Sequence, residues 1–144
     1  MIKVRQGTFR ECVALSKRIP EFNPPYKIDE YKKRCNDKYL ALNAIIDERQ
    51  VGFKIGYDRF NDGSFYSWMG GVLPEFRRKG IASSLADFQE NWALENGFQS
   101  ISLKTRKKHK GMIAFSLNRG FIITEEIQMG PDEETRIWMK KELQ

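Results

Sequence analysis

The chain has 144 residues, 40% of them apolar and 31% charged, which is the size and balance of one globular domain able to bury a core without staples. No apolar run approaches the ~20 residues that cross a bilayer, and no signal peptide is visible, so a cytoplasmic protein with no membrane role is expected. The formal charge of +6 favours an anionic partner, whether nucleic acid, a membrane surface or a phosphorylated cofactor. His109 is the sole histidine, which excludes a histidine-rich metal centre, so no metal site is expected. Cys12 and Cys35 read as ordinary thiols.

In chain order, Ile2 and Val4 alternate with Lys3 and Arg5 as a strand, and Thr8 caps a helix over Phe9 to Arg18. Pro20, Pro24 and Pro25 interrupt the chain before a short helix from Ile28 to Cys35. Tyr39 to Ile46 and Val51 to Tyr57 are β-prone stretches joined by Asp47, Glu48, Arg49 and Gln50, which predicts a hairpin. Asn61, Asp62 and Gly63 mark a turn into a third strand, Phe65 to Val72. Ile81, Leu85, Phe88 and Trp92 recur at helical spacing until Asn96 and Gly97. Ile101 and Leu103 mark a strand, Met112 to Asn118 a helix, and Phe121 to Gln128 and Arg136 to Lys140 two final strands. The order describes a single domain over 1–144, a mixed α/β sandwich around one sheet.

The segment Val72 to Ser83, VLPEFRRKGIAS, carries the chemistry. A strand that leads through Arg77, Arg78, Lys79 and Gly80 into a helix leaves backbone N–H groups converging on one spot, suited to phosphate. Gly80 permits close approach, Ala82 keeps the helix start clear, and Ser83 or Ser84 adds a hydroxyl. The alternative is a basic, solvated helix start. Neither the nucleotide-hydrolase loop nor the dinucleotide GxGxxG is present, so a different phosphate cofactor is required.

Arg77, Gly80 and Ala82 match the pyrophosphate loop of the GNAT superfamily of acyl-CoA N-acyltransferases, which reads Arg or Gln, two residues, Gly, one residue, Gly or Ala. Val72, Pro74 and Phe76 resemble that family's strand exit, and the element order resembles it over nearly the whole chain. The resemblance implies a mostly antiparallel sheet of six to seven strands flanked by about four helices, with acetyl-CoA as cosubstrate. It implies cofactor contacts from Gly71, Val72, Leu73, Arg77, Arg78, Lys79, Gly80, Ile81, Ala82, Ser83 and His109. The backbone of Val72 would pair with the pantetheine arm and steady the oxyanion. Gly70 and Gly71 fit a bulged, splayed strand, or else simply close packing of an aromatic such as Trp68.

The resemblance also implies a base near Tyr66 and an acid at Ser116, where many relatives carry tyrosine. Alternation places Tyr66 and Trp68 on one face and Phe65, Ser67 and Met69 on the other. Tyr66 is a base or a pocket wall, and Ser116 a weak acid or a bystander. His109 contacts the cofactor or belongs to a basic loop with Lys104, Arg106, Lys107, Lys108 and Lys110, a cluster that could attract an anion. Tyr26, Asp29, Glu30, Tyr31, Asp58 and Asp62 are candidates for the acceptor site, where carboxylates would draw a cationic amine. The function expected is acetyl transfer to a primary amine of a small molecule or protein by direct attack. The alternative is a noncatalytic acyl-CoA sensor, and nucleic-acid binding is disfavoured because the cluster lacks interleaved aromatics. Exposed edges of the last strands leave a homodimer open.

Overall fold

A computed structural model describes residues 1–35 and 38–144. Seven strands form one sheet in the order β1-β2-β3-β4-β5-β7-β6. They are β1 (Lys3–Gln6), β2 (Tyr39–Ile46), β3 (Arg49–Tyr57), β4 (Ser64–Val72), β5 (Ser100–Arg106), β6 (Ile122–Ile127) and β7 (Arg136–Glu142). Every pairing is antiparallel except β4 with β5. The helices are α1 (Phe9–Ser16), α2 (Ile28–Arg34), α3 (Ile81–Glu95) and α4 (Lys110–Asn118). Fold class and element order are those expected.

The boundaries that moved have local causes. The hairpin between β2 and β3 is tighter than the four polar residues suggest: Asp47 and Glu48 both take positive φ, and Ile46 already faces Arg49. Such a two-residue turn follows the strand twist but usually advertises itself with Asn-Gly, which is absent here. Three short 3-10 turns, Pro20–Phe22, Pro74–Phe76 and Asp132–Glu134, begin at or just after a proline whose fixed φ suits the first position. Helix α1 opens on a reciprocal cap, in which the Glu11 N–H donates to the Thr8 hydroxyl and the Thr8 N–H to the Glu11 carboxylate.

Both faces of the sheet are covered, so the central strands are apolar on both sides rather than alternating. One core packs Leu42, Phe65, Ile101 and Met139 beneath Ile81 and Leu85 of α3. The other packs Phe53, Ile55 and Tyr66 against Cys12 and Leu15 of α1 and Tyr31 of α2. Both cysteines are buried free thiols, which desolvation pushes up to about 12. No described helix is long and apolar enough to cross a membrane.

Candidate active site

The parallel pair β4 and β5 holds only from Ser64↔Ser100 to Ser67↔Leu103. Beyond that rung β4 pairs only with β3 and β5 only with β7, so the two strands part. The cause is one extra residue: Ile55 faces Met69 and Gly56 faces Ser67, which leaves Trp68 as a bulge. The bulge is therefore at Trp68 and not at Gly70 and Gly71, which stay in register with Lys54 and Phe53. It also brings Met69 onto the Tyr66 face, against the simple alternation. The two glycines serve packing. A Cβ on Gly71 would stand 2.9 Å from Ile19 and 3.0 Å from Phe22, and one on Gly70 would stand 3.3 Å from Lys54. The crowding neighbours are thus Ile19, Phe22 and Lys54 rather than Trp68.

Between the parted strands lies a cleft of about 880 Å³ that runs from the α3 N-terminus to Trp68 and Lys104. Its β4 wall is main chain. The Leu73 N–H donates to the Val51 carbonyl, and bonding alternates along an antiparallel strand, so Gly70 and Val72 turn their polar groups toward the gap. The Val72 carbonyl accepts from Arg77 Nε at 3.0 Å, while the Arg77 guanidinium also pairs with Glu21 at 2.8 Å. Arg77 thus ties the strand exit to the Pro20–Phe22 turn, and that pairing lowers the Glu21 carboxyl below its ordinary value.

At the mouth, Gly80 caps α3 in the left-handed region (φ 82°), and a Cβ there would meet only open space. The first helical N–H to bond back is that of Ser84, to the Gly80 carbonyl at 3.0 Å, so the N–H groups of Ile81, Ala82 and Ser83 lack the helical partner. Arg78 and Lys79 have no ion pair among the described residues, and no acidic residue occupies the first turn. An anion there meets free donors, a helix dipole and the Arg78 cation, whereas Lys79, expected as a cofactor contact, does not line the cleft and holds its ammonium 5.9 Å from the Phe76 ring centre. Leu73 is buried at the strand exit, while Gly71, Arg78, Ile81, Ala82, Ser83 and His109 line the cleft. His109 caps α4 on the facing wall, where burial, then Lys108 and Arg106, lower its pKa and favour neutral imidazole.

The two residues expected to move protons are less well placed. Tyr66 is 2% exposed, and burial raises its pKa against the opposing influence of Arg59, the wrong direction for a base. Ser116 does not line the cleft itself. It lines a small pocket behind it, which Lys54, Ser67 and Phe115 share with the cleft. Lys54 was missed by sequence reading because one lysine in an apolar strand resembles any edge position. It has no ion-pair partner among the described residues, and desolvation brings it down to about 8.

The basic loop is largely neutralised. Arg106 and Lys108 pair with Glu134 at 2.9 and 2.6 Å, and Lys107 pairs with Asp132 at 3.1 Å. Three of the four candidate acceptor carboxylates are engaged, Glu30 by Arg34 at 2.7 Å, Asp58 by the Asn61 N–H and Asp62 by the Ser64 N–H, while Asp29 is exposed with no ion pair among the described residues. Tyr31 is buried, whereas Tyr26 packs on Trp68 at the cleft end.

The family model described as Acetyltransferase (GNAT) family matches residues 9–121. The chain belongs to that family. Members are acetyl-CoA-dependent acyltransferases, and acetyl-CoA is the cosubstrate of this GNAT domain. Similar solved structures agree on the fold. The ribosomal-protein-S18-alanine N-acetyltransferase from Escherichia coli is 15% identical with a TM-score of 0.85, over 99% of this chain and 94% of that one. Ard1 from Thermoplasma volcanium is 19% identical with a TM-score of 0.83, over 99% and 98%. The PaiA N-acetyltransferase from Thermoplasma acidophilum, solved with coenzyme A, is 16% identical with a TM-score of 0.75, over 99% of both chains.

Proposed function

We propose that this GNAT domain transfers an acetyl group from acetyl-CoA to a primary amine of a small molecule or protein, by direct attack of the amine on the thioester. The observation that carries the reading is one continuous cleft that joins the free helix start at Ile81–Ser83 to the Gly70 main chain and the Val72 N–H, both turned toward the gap. The first end suits a pyrophosphate and the second an extended amide-bearing arm, which adds to the sheet as a strand would. Because the bulge lies at Trp68, the Gly70 N–H is closer to it than the Val72 N–H. Gly70 is therefore assigned the oxyanion, and Val72 the arm.

The amine must lose a proton before attack, since an alkylammonium has a pKa near ~10. Tyr66, with its raised pKa, lies behind the cleft beneath the Arg59 guanidinium and takes no proton, which instead leaves through water in the open cleft. On the leaving side, Lys54 is still mostly protonated at neutral pH and stands with Ser116 at the small pocket. A cation there helps a thiol of ordinary pKa near ~8.5 leave as thiolate, so a tyrosine at position 116 is not required.

Calorimetry with coenzyme A on the wild type and on Gly80→Trp tests the cofactor half, with binding expected for the first and none for the second. Acetyl-CoA-dependent thiol release over an amine panel tests the rest. Absence of cofactor binding by the wild type overturns the reading, and tight binding without turnover across the panel would restore the sensor.

A further inference from the structure

The acceptor end of the cleft has the opposite charge from the one its nearby carboxylates suggest. Trp68 on β4 and Lys104 on β5 follow directly after the last shared rung, Ser67↔Leu103, and both line the cleft. Behind them, on the α1 and α2 side, aromatic rings carry cations. The Arg59 guanidinium lies 4.8 Å from the centre of the Tyr66 ring and 5.6 Å from that of Trp138. The Lys104 ammonium lies 5.4 Å from the same Trp138 ring. Arg34 covers Trp68 at 4.8 Å.

Arg34 is balanced by Glu30, but Arg59 and Lys104 have no carboxylate within ion-pair distance among the described residues. Glu125 stands opposite Trp138 on β6 without reaching either cation. Two like charges held on one indole repel, and the Lys104 pKa is lowered, first by burial and next by Arg59. Aromatic faces offset only part of that repulsion. An anion between the cations would relieve it, whereas a polyamine or another polycation would add to it.

We propose that the acceptor of this enzyme is an amine that also carries an anionic group, carboxylate or phosphate, which Arg59 and Lys104 bind while the amine reaches the thioester past Trp68. The proposal rests on the acetyltransferase reading and names the substrate class for the same site. It inverts the expectation that acidic residues draw in a cationic amine.

The test compares kcat/KM within matched pairs in the thiol-release assay. The pairs are 4-aminobutyrate with butylamine, O-phosphoethanolamine with ethanolamine, and short peptides with Glu or Lys after the amino-terminal residue. The anionic member of at least one pair should be favoured on the order of tenfold or more. The pair that shows the preference identifies the source of the anion. Arg59→Ala combined with Lys104→Met should abolish that preference through KM for the anionic acceptor, with coenzyme A binding by calorimetry showing that the variant is folded. Lys104→Glu should reverse it. Equal or better turnover of the neutral and cationic members, or a preference that survives the double substitution, overturns the substrate class and leaves the acetyltransferase reading standing. Failure of the wild type to bind coenzyme A would instead overturn that reading.

Discussion

Lys54 lines the cleft and, enclosed without an ion-pair partner among the described residues, works against the fold. Its ordinary value is 10.5 and its folded value about 8, the first cause being desolvation and the next the Arg119 guanidinium. At pH below about 8 both folded and unfolded chains carry the charge, so the full penalty of enclosing it is present. As pH rises from 8 to 10.5 the folded state gives up its proton first, and the penalty fades. Lys54→Met should therefore raise Tm at pH 7, and the gain over wild type should shrink as the medium approaches pH 10.5. If Lys54 also steadies the thiolate, the same variant should lower kcat several-fold without changing coenzyme A affinity. Thermal melts across pH and steady-state kinetics read the two effects separately. Tyr66→Phe and Ser116→Ala, by contrast, should each keep turnover within about threefold of wild type, since neither residue lines the cleft itself.

Among the elements, α1 and the Pro20–Phe22 turn hold the cleft wall in place. Thr8→Ala removes the hydroxyl that accepts the Glu11 N–H and should cost about 1 kcal/mol in a denaturant titration. Because the Glu11 carboxylate also binds Arg5, Asn43 and Gln50, Glu11→Ala should cost more than the cap alone. Gly71→Val tests the contact between β4 and the turn. The new side chain would collide with Ile19 and Phe22, displace Glu21 from Arg77 and disturb the strand exit. Its expected signature is weaker coenzyme A binding as well as a lower Tm. Gly80→Ala should be milder than Gly80→Trp: a Cβ meets open space, and the cost is the left-handed φ of 82° alone.

At the scale of the molecule, one sheet separates two cores, and the central strands β3 and β4 contribute to both. Truncation on either face, Leu85→Ala beneath α3 or Phe53→Ala beneath α1, should each destabilise by about 2–5 kcal/mol. The unfolding transition should stay single, as differential scanning calorimetry would show, because neither core is complete without the shared strands. The net charge of +6 is likewise a whole-molecule property that local structure redistributes. Glu134 and Asp132 quench Arg106, Lys107 and Lys108, while Arg59 and Lys104 keep their charge beside the cleft.

The sequence alone determined the elements and the proposed cofactor loop, because both are written in local terms. Helical spacing through Ile81, Leu85, Phe88 and Trp92, the Thr8 cap, and the run from Val72 to Ser83 each depend on residues close in the chain. It could not place the bulge, since the extra residue at Trp68 exists only relative to the register of β3. It could not sort charges either: Glu30, Asp58 and Asp62 looked available for an amine until their partners came into view. Nor could it tell that Lys54, from one strand, and Ser116, from a helix far along the chain, border the same pocket. Segment Val72–Ser83 carries the proposed cofactor cradle. The sign of the acceptor site belongs to tertiary structure, since it depends on which charges from distant strands remain unpaired after the chain has folded.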